Sequence, residues 1–400
     1  MNVNESQKIK LIGQSLKNKI HMIYSKGLSQ ISGLFFLLFL APACKNNKSS
    51  DSNSDVLVID YHNTKEMLFE EYFNLKDIKI IQFAHSDTLV LSDKLYAKMV
   101  DSSIFVHDAV TVQIYRFNQQ GELINKIGTS GLSPAEYSDI LDFDIDTIEK
   151  TVDILCNRGK TVKTYGYDGV FRKKFETPKV AFNFNKVNDN CYWFFSGFVD
   201  PTGYRLHLCD TLKVVRSYLN LKTKILEFTE QKFFGVGGEG LFRESFLPSI
   251  YEYNSTTLTE RFRIDFGKNT VSEDELKRVS DPTLFFEEQL QKGTYTTIQA
   301  CKGAELASIR TLYQKGEDQI DICDFIIDSR DNSATKIINT KLTKQISPQL
   351  SLIRIDSNNN FYYLTSPVAL SEFLLEIVPK DKNLEFNKNG NPLVVVLNRE

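Results

Sequence analysis

Met99-Val-Asp-Ser-Ser-Ile-Phe-Val-His-Asp108, Val112-Gln-Ile-Tyr-Arg-Phe-Asn118 and Gly121-Glu-Leu-Ile-Asn-Lys-Ile-Gly128 follow one another closely in this chain. Phe143-Asp-Ile-Asp146, Thr151-Val-Asp-Ile-Leu-Cys156, Thr161-Val-Lys-Thr-Tyr-Gly-Tyr-Asp-Gly169 and Val170-Phe-Arg-Lys-Lys-Phe175 then repeat the pattern. Short runs rich in Val, Ile, Phe and Tyr, broken by Asp, Asn and Gly, read as strands. Asn118-Gln-Gln-Gly121 and Tyr167-Asp-Gly169 supply the hairpin turns, each after an aromatic residue. Four strands in a unit of about 40 to 50 residues are the mark of a propeller blade, which cannot bury its two faces alone and packs in a ring.

Looser copies follow. A third blade spans about 180–220, with Phe182-Asn-Phe184, Cys191-Tyr-Trp-Phe-Phe195, Leu206-His-Leu-Cys209 and Val214-Val-Arg-Ser-Tyr218. The fourth has a polar lead-in, Ile250-Tyr-Glu-Tyr253 and Thr259-Glu-Arg-Phe-Arg-Ile-Asp-Phe-Gly267. The fifth takes Thr296-Thr-Ile298, Ala307–Tyr313 and Ile320–Ile327, and the sixth Leu352–Asp356, Asn360–Leu364 and Leu393–Leu397. The expectation is an all-β, six-bladed β-propeller over residues 55–400. Between blades four and five the pattern turns helical. Ser272-Glu-Asp-Glu275 forms a capping box, and Leu276, Leu284, Phe285, Phe286 and Leu290 are expected to face the propeller over short helices broken at Asp281-Pro282.

Composition fits a folded chain: of 400 residues, 42% are hydrophobic and 12% aromatic, with 29 Phe and 17 Tyr. The formal net charge is −3, and without residues 1–43 the remainder carries −7. That acidity and the lack of an Arg-rich stripe argue against nucleic-acid binding.

Residues 27–44 carry no charge, and Leu34-Phe-Phe-Leu-Leu-Phe-Leu40 is followed by Ala41-Pro-Ala-Cys44. A basic stretch, a short apolar core and small residues before a cut site make a secretory signal. A Cys directly after them resembles the bacterial lipobox, whose thiol takes a diacylglycerol. The apolar run is too short for the roughly 20 residues of a membrane span. Residues 1–43 are therefore expected to be a lipoprotein signal peptide, with translation starting at Met22 and Cys44 lipidated. Residues 44–54 are polar and read as a flexible tether. The other cysteines (Cys156, Cys191, Cys209, Cys301, Cys323) make no C-x-x-C pair and read as buried small hydrophobes.

Ile127-Gly-Thr-Ser-Gly-Leu-Ser-Pro-Ala-Glu-Tyr137 resembles the link between the first blades of the six-bladed propeller lipoproteins of Bacteroides and its relatives, which are shaped like NHL-repeat propellers. Ser133 and Ala135 stand where that family has glycines. Arg263–Gly267, Asp356–Tyr363 and Asn391–Val396 are similar to the family as well. The resemblance covers roughly Val56 to Leu397 and implies the fold, without an activity. In this motif Gly128, Gly131, Pro134, Glu136 and Tyr137 are expected to fix the crossover between blades.

Gly235-Val-Gly-Gly-Glu-Gly240 matches G-x-G-x-x-G, but no strand–helix context follows and it reads as a flexible inter-strand loop. His85, His107 and His207 lack metal-ligand spacing, and no G-x-S-x-G elbow or Ser/His/Asp order marks a hydrolase. Asp142, Asp144 and Asp146 alternate onto one face of their strand beside Asp153. They suit either a solvated edge or a central Ca²⁺ ring of the kind lactonase-type propellers carry. Function is expected to be a non-enzymatic, membrane-tethered platform without a cofactor, facing the periplasm from the outer membrane. Its ligand would be a protein, a small molecule or a glycan. The alternatives are a Ca²⁺-dependent lactonase or lyase and a component of an outer-membrane uptake complex.

Overall fold

The computed structural model describes residues 56–225, 231–236, 238–316, 319–338, 350–377 and 384–399. The Met22 start, the signal peptide, Cys44 and the tether over 44–54 lie outside the described residues. Among the described residues no helix is long and apolar enough to cross a membrane.

Three short strands come first: β1 (Leu57–Asp60), β2 (Glu66–Leu68) and β3 (Lys79–Gln82). Blade 1 then follows as β4 (Leu95–Val100), β5 (Ser103–Asp108), β6 (Gln113–Asn118) and β7 (Leu123–Ile127). Blade 2 is β8 (Asp142–Asp146), β9 (Thr151–Cys156), β10 (Thr161–Gly166) and β11 (Phe171–Glu176). Blade 3 is β12 (Asn183–Asn188), β13 (Cys191–Phe195), β14 (Tyr204–Asp210) and β15 (Val214–Asn220). Blade 4 is β16 (Phe233–Val236), β17 (Glu239–Arg243), β18 (Ser249–Tyr253) and β19 (Leu258–Asp265). Blade 5 is β20 (Thr294–Lys302), β21 (Leu306–Lys315), β22 (Gln319–Asp328) and β23 (Ser333–Ile338), and blade 6 has β24 (Ser351–Ile355), β25 (Asn360–Thr365) and β26 (Leu393–Asn398).

Among the described residues blade 6 builds three strands of its own. β3 supplies the fourth, antiparallel to β26 with Ile80 opposite Val395 and Gln82 opposite Leu393. The ring is therefore closed by hydrogen bonds between the two ends of the fold. β1 pairs in parallel with β19, and β2 in parallel with β23. The N-terminal segment thus laces the outer edges of blades 4, 5 and 6 in turn, covering ladders that would otherwise be open. Gly121, in the last hairpin of blade 1, touches this closure: at φ +81°, a Cβ there would sit 1.9 Å from the Gln82 carbonyl oxygen.

Hydrophobic side chains alternate to both faces of each blade, and six clusters result, one at each blade-to-blade contact. Phe105, Ile154 and Tyr137 join blades 1 and 2; Leu155 and Phe184 join 2 and 3; Trp193, Phe233 and Phe242 join 3 and 4. Ile309 with Ile264, Phe361 with Ile326, and Ile104 with Val394 fill the other three.

Two expectations from the sequence are corrected here. The glycine-rich segment is not a loose loop: it forms the β16–β17 hairpin, with Gly235 opposite Gly240, where a Cβ on Gly235 would lie 2.0 Å from the Glu239 carbonyl oxygen. The connection between blades 4 and 5 carries α1 (Glu273–Arg278), with the Ser272–Glu275 capping box formed, and α2 (Pro282–Lys292), capped by Asp281. Leu276 and Phe285 are buried there, but Leu284 and Leu290 point to solvent. Gln289 takes the inward position instead, its Oε1 accepting from the Thr294 hydroxyl at 2.7 Å. All five described cysteines are free, and four of them are buried.

Candidate functional site

The first strand of each blade lies at one end of its sheet and meets its counterparts around the axis. Between them runs a channel with two mouths. The wider, of about 500 Å³, is lined by the ends of these strands, among them Val100, Asp101, Ala300, Cys301 and Arg354. The narrower, of about 200 Å³, is lined by Tyr96, His107, Ile140, Asp142, Phe143 and Asn183. Ala97, Lys98 and Gln231 border both mouths and form the waist.

An ion pair sits at that waist. The Lys98 Nζ lies 2.7 Å from Asp144 Oδ1, and both side chains are buried. Asp144 Oδ2 also accepts from Asn185 Nδ2 at 2.9 Å and from the Lys186 backbone N–H at 2.8 Å, so one carboxylate holds blades 1, 2 and 3 together. Lys186 in turn lies 2.8 Å from Asp146, 3.4 Å from Asp189 and 3.8 Å from Asp153. Asp146 Oδ1 caps the turn after β8 through the N–H groups of Ile148 and Glu149.

Asp142 differs from its neighbours. Its carboxylate accepts from the backbone N–H of Phe184 at 3.1 Å and of Phe143 at 2.9 Å, and among the described residues no cation pairs with it. Burial pushes its carboxyl up to about 6, against the opposing pull of Lys98. Across the narrow mouth, His107 is 5% exposed, stacks on Tyr96 with ring centres 5.9 Å apart, and meets the Phe143 ring edge-on. Among the described residues its ring nitrogens make no hydrogen bond. Burial lowers its pKa to about 4, leaving a neutral imidazole with one donor and one acceptor. Asn183, also buried, has an Oδ1 without a partner.

The acidic run of β8 is therefore no solvated edge; it lies on an innermost strand, with Asp144 fully buried. Lys98 and Lys186 pair with Asp144 and Asp146, and among the described residues no three His, Cys, Asp or Glu side chains are grouped to hold a metal. His85 lies near Asn391 and His207 within blade 3, so the structure does not bring the three histidines together.

The blade-linking motif forms the crossover from β7 to β8. Tyr137 is fully buried; its hydroxyl donates to the Ile127 carbonyl and accepts from Gln113 Nε2, both at 2.9 Å. Glu136 accepts from the Ser133 N–H at 2.9 Å and lies so close to Gly131 that a Cβ there would be 2.1 Å from the carboxylate. Gly128 adopts φ +60° against the Tyr137 and Tyr165 rings, while Pro134 is exposed on the loop.

One arrangement has no signal in residue order. His207 Nδ1 lies 2.9 Å from the Ser217 hydroxyl and its Nε2 3.2 Å from Asp200, with Lys179 on Asp200 at 2.9 Å. Burial pushes the Asp200 carboxyl up, but bonds from Thr202 and Lys179 outweigh it and hold it at about 2. The set ties β14 to β15 and lies outside both mouths of the channel.

The crystal structure of a Bacteroides fragilis protein described as exported superposes with a TM-score of 0.67 at 13% identity, covering 86% of this chain and 99% of that one. A member of the DUF4221 family from Bacteroides vulgatus superposes with a TM-score of 0.51 at 10% identity, covering 82% and 99%. Such identities speak for the fold alone. No curated protein matches the chain in sequence. A family model described as a domain of unknown function, DUF4934, matches residues 53–398, nearly the whole propeller, and the chain belongs to that family.

Proposed function

We propose that the chain is an exported lipoprotein, anchored through a lipid on Cys44, whose propeller binds a small ligand in its axial channel. One observation carries the binding role. Side chains from blades 1, 2 and 3 converge on the narrow mouth, where, among the described residues, the buried His107 imidazole makes no hydrogen bond and the half-buried Asp142 carboxylate has no ion-pair partner. Buried polar groups are ordinarily paired, and a ligand is what pairs them here. The lipobox-like segment and the similarity to a protein described as exported support the envelope location. β1 runs parallel to β19, towards the narrow-mouth side, so the chain arrives at Leu57 from the wide-mouth side. A lipid tether would then leave the narrow mouth pointing away from the membrane.

The binding role is tested on the full chain, purified in detergent, by thermal shift against a mixed set of amines, sugars, nucleosides and amino acids. A ligand at a hundredfold excess over its Kd stabilises by about 2.7 kcal/mol. The expected hit raises the melting temperature of the wild type and loses that effect in His107→Phe. A set of hits indifferent to that substitution would overturn the axial site. Metabolic labelling with palmitate tests the anchor: label is expected on the wild type and absent from Cys44→Ser.

A further inference from the structure

We propose that the narrow mouth of the channel takes the protonated amino group of a small organic amine, with Asp142 as its counter-ion and the Tyr96–His107 pair as its wall. This rests on the reading of the channel as a ligand site and specifies the ligand's chemistry. Charge comes first. Asp142, Asp144, Asp146 and Asp153 face only two ammonium groups within this cluster, Lys98 and Lys186. Lys98 is committed to Asp144 and Lys186 to Asp146, so Asp142 is the carboxylate left to a guest. A half-buried carboxylate without an ion-pair partner is poorly solvated, and a cation from outside relieves that cost.

The donor set favours an organic cation over a metal ion. Ca²⁺ takes roughly six to eight oxygen ligands, whereas among the described residues Asp142 is the single carboxylate lining this mouth. An ammonium needs only a carboxylate, an acceptor such as the neutral His107, and an aromatic or apolar wall for its carbon chain. Ile140, Phe143 and Tyr96 provide that wall. The channel already shows the chemistry, since the Lys98 ammonium lies 5.6 Å over the Phe143 ring. A volume of about 200 Å³ holds roughly half a dozen non-hydrogen atoms.

The test titrates the full chain, in detergent at pH 7.5, with n-butylammonium, 1-butanol, butyrate and Ca²⁺, followed by saturation-transfer NMR for the organic probes and calorimetry for the metal. Butylammonium is expected to bind at least tenfold more tightly than 1-butanol, with butyrate weakest. Asp142→Asn should reduce that preference at least tenfold, and so should Tyr96→Ala, whose side chain lies at the surface and whose variant reports independently of the carboxylate. Equal binding of butanol and butylammonium, or Ca²⁺ displacing the amine, would overturn the amine assignment while leaving the channel a ligand site. Absence of binding by all four probes, together with failure of the mixed set above, would remove the axial site itself.

Discussion

Replacing Lys98 by Met removes the ammonium from the waist of the channel and leaves Asp144 fully buried without its cation. At 2.7 Å the pair attracts by about 6 kcal/mol at an effective dielectric of 20, before desolvation is counted. Removing one partner of such a buried pair typically costs about 3 to 5 kcal/mol, because the remaining charge must lose its ionisation or its neighbours. Asp144 also has neutral donors from Asn185 and the Lys186 backbone, so about 3 kcal/mol is expected. With an unfolding entropy near 2.1 cal/mol/K per residue, the 346 residues from 53 to 398 give about 0.7 kcal/mol/K, and the melting temperature should fall by roughly 4 °C. Lys98→Met combined with Asp144→Asn should recover more than half of that loss, since the buried charge is gone. The assay is urea unfolding at pH 7.5 of both single variants and the double variant, read as a double-mutant cycle. A loss under 1 kcal/mol in Lys98→Met, or a double variant no better than the single, would refute the claim that this pair joins the first three blades.

Gly121→Ala places a methyl group against the Gln82 carbonyl at a positive φ, so a loss of more than 2 kcal/mol in urea unfolding is expected, through the closure strand. A chain lacking residues 56–83 should lose cooperative thermal unfolding altogether, because blade 6 is left with three strands. Tyr137→Phe removes two buried hydrogen bonds at the first crossover and should cost about 1 to 2 kcal/mol by the same assay. Asp142 has a folded pKa raised to about 6, so its stabilising contribution is full below the unfolded value near 3.8 and is lost as pH rises through 6. Asp142→Asn should therefore melt higher than the wild type at pH 7.5 and equal to it near pH 4, with Lys98, Asp144 and His107 unchanged around it.

The six blades are legible in the sequence because each is local: alternation such as Val152-Asp-Ile-Leu-Cys156 and turns such as Asn118–Gly121 lie within a few residues of the strands they define. The lacing by β1, β2 and β3 is not. These strands have only three or four residues each, and they pair with partners some two to three hundred positions away, two of them in parallel and without any connecting turn to announce them. The β16–β17 hairpin escaped for another reason, since Gly235 and Gly240 give no β-propensity and are there because the backbones approach too closely for a side chain. For the site, the period-two spacing of Asp142, Asp144 and Asp146 correctly puts them on one face, but residue order cannot show that Lys98 and Lys186 come to meet them. His107 and Asn183 gain their place beside Asp142 only when blades 1, 2 and 3 are wrapped about the axis.

Lys98 and Lys186 explain why Asp144 can be buried on β8, and Asp142 explains what remains open. A propeller used as a binding platform should carry its ligand when taken from its own envelope. The most direct measurement is a crystal structure of the chain purified from native membranes without exchange into ligand-free buffer. The account predicts non-water density in the narrow mouth, within hydrogen-bonding distance of Asp142 and His107. A channel filled by water alone, with a ligand or partner seated instead on the outer loops, would contradict it.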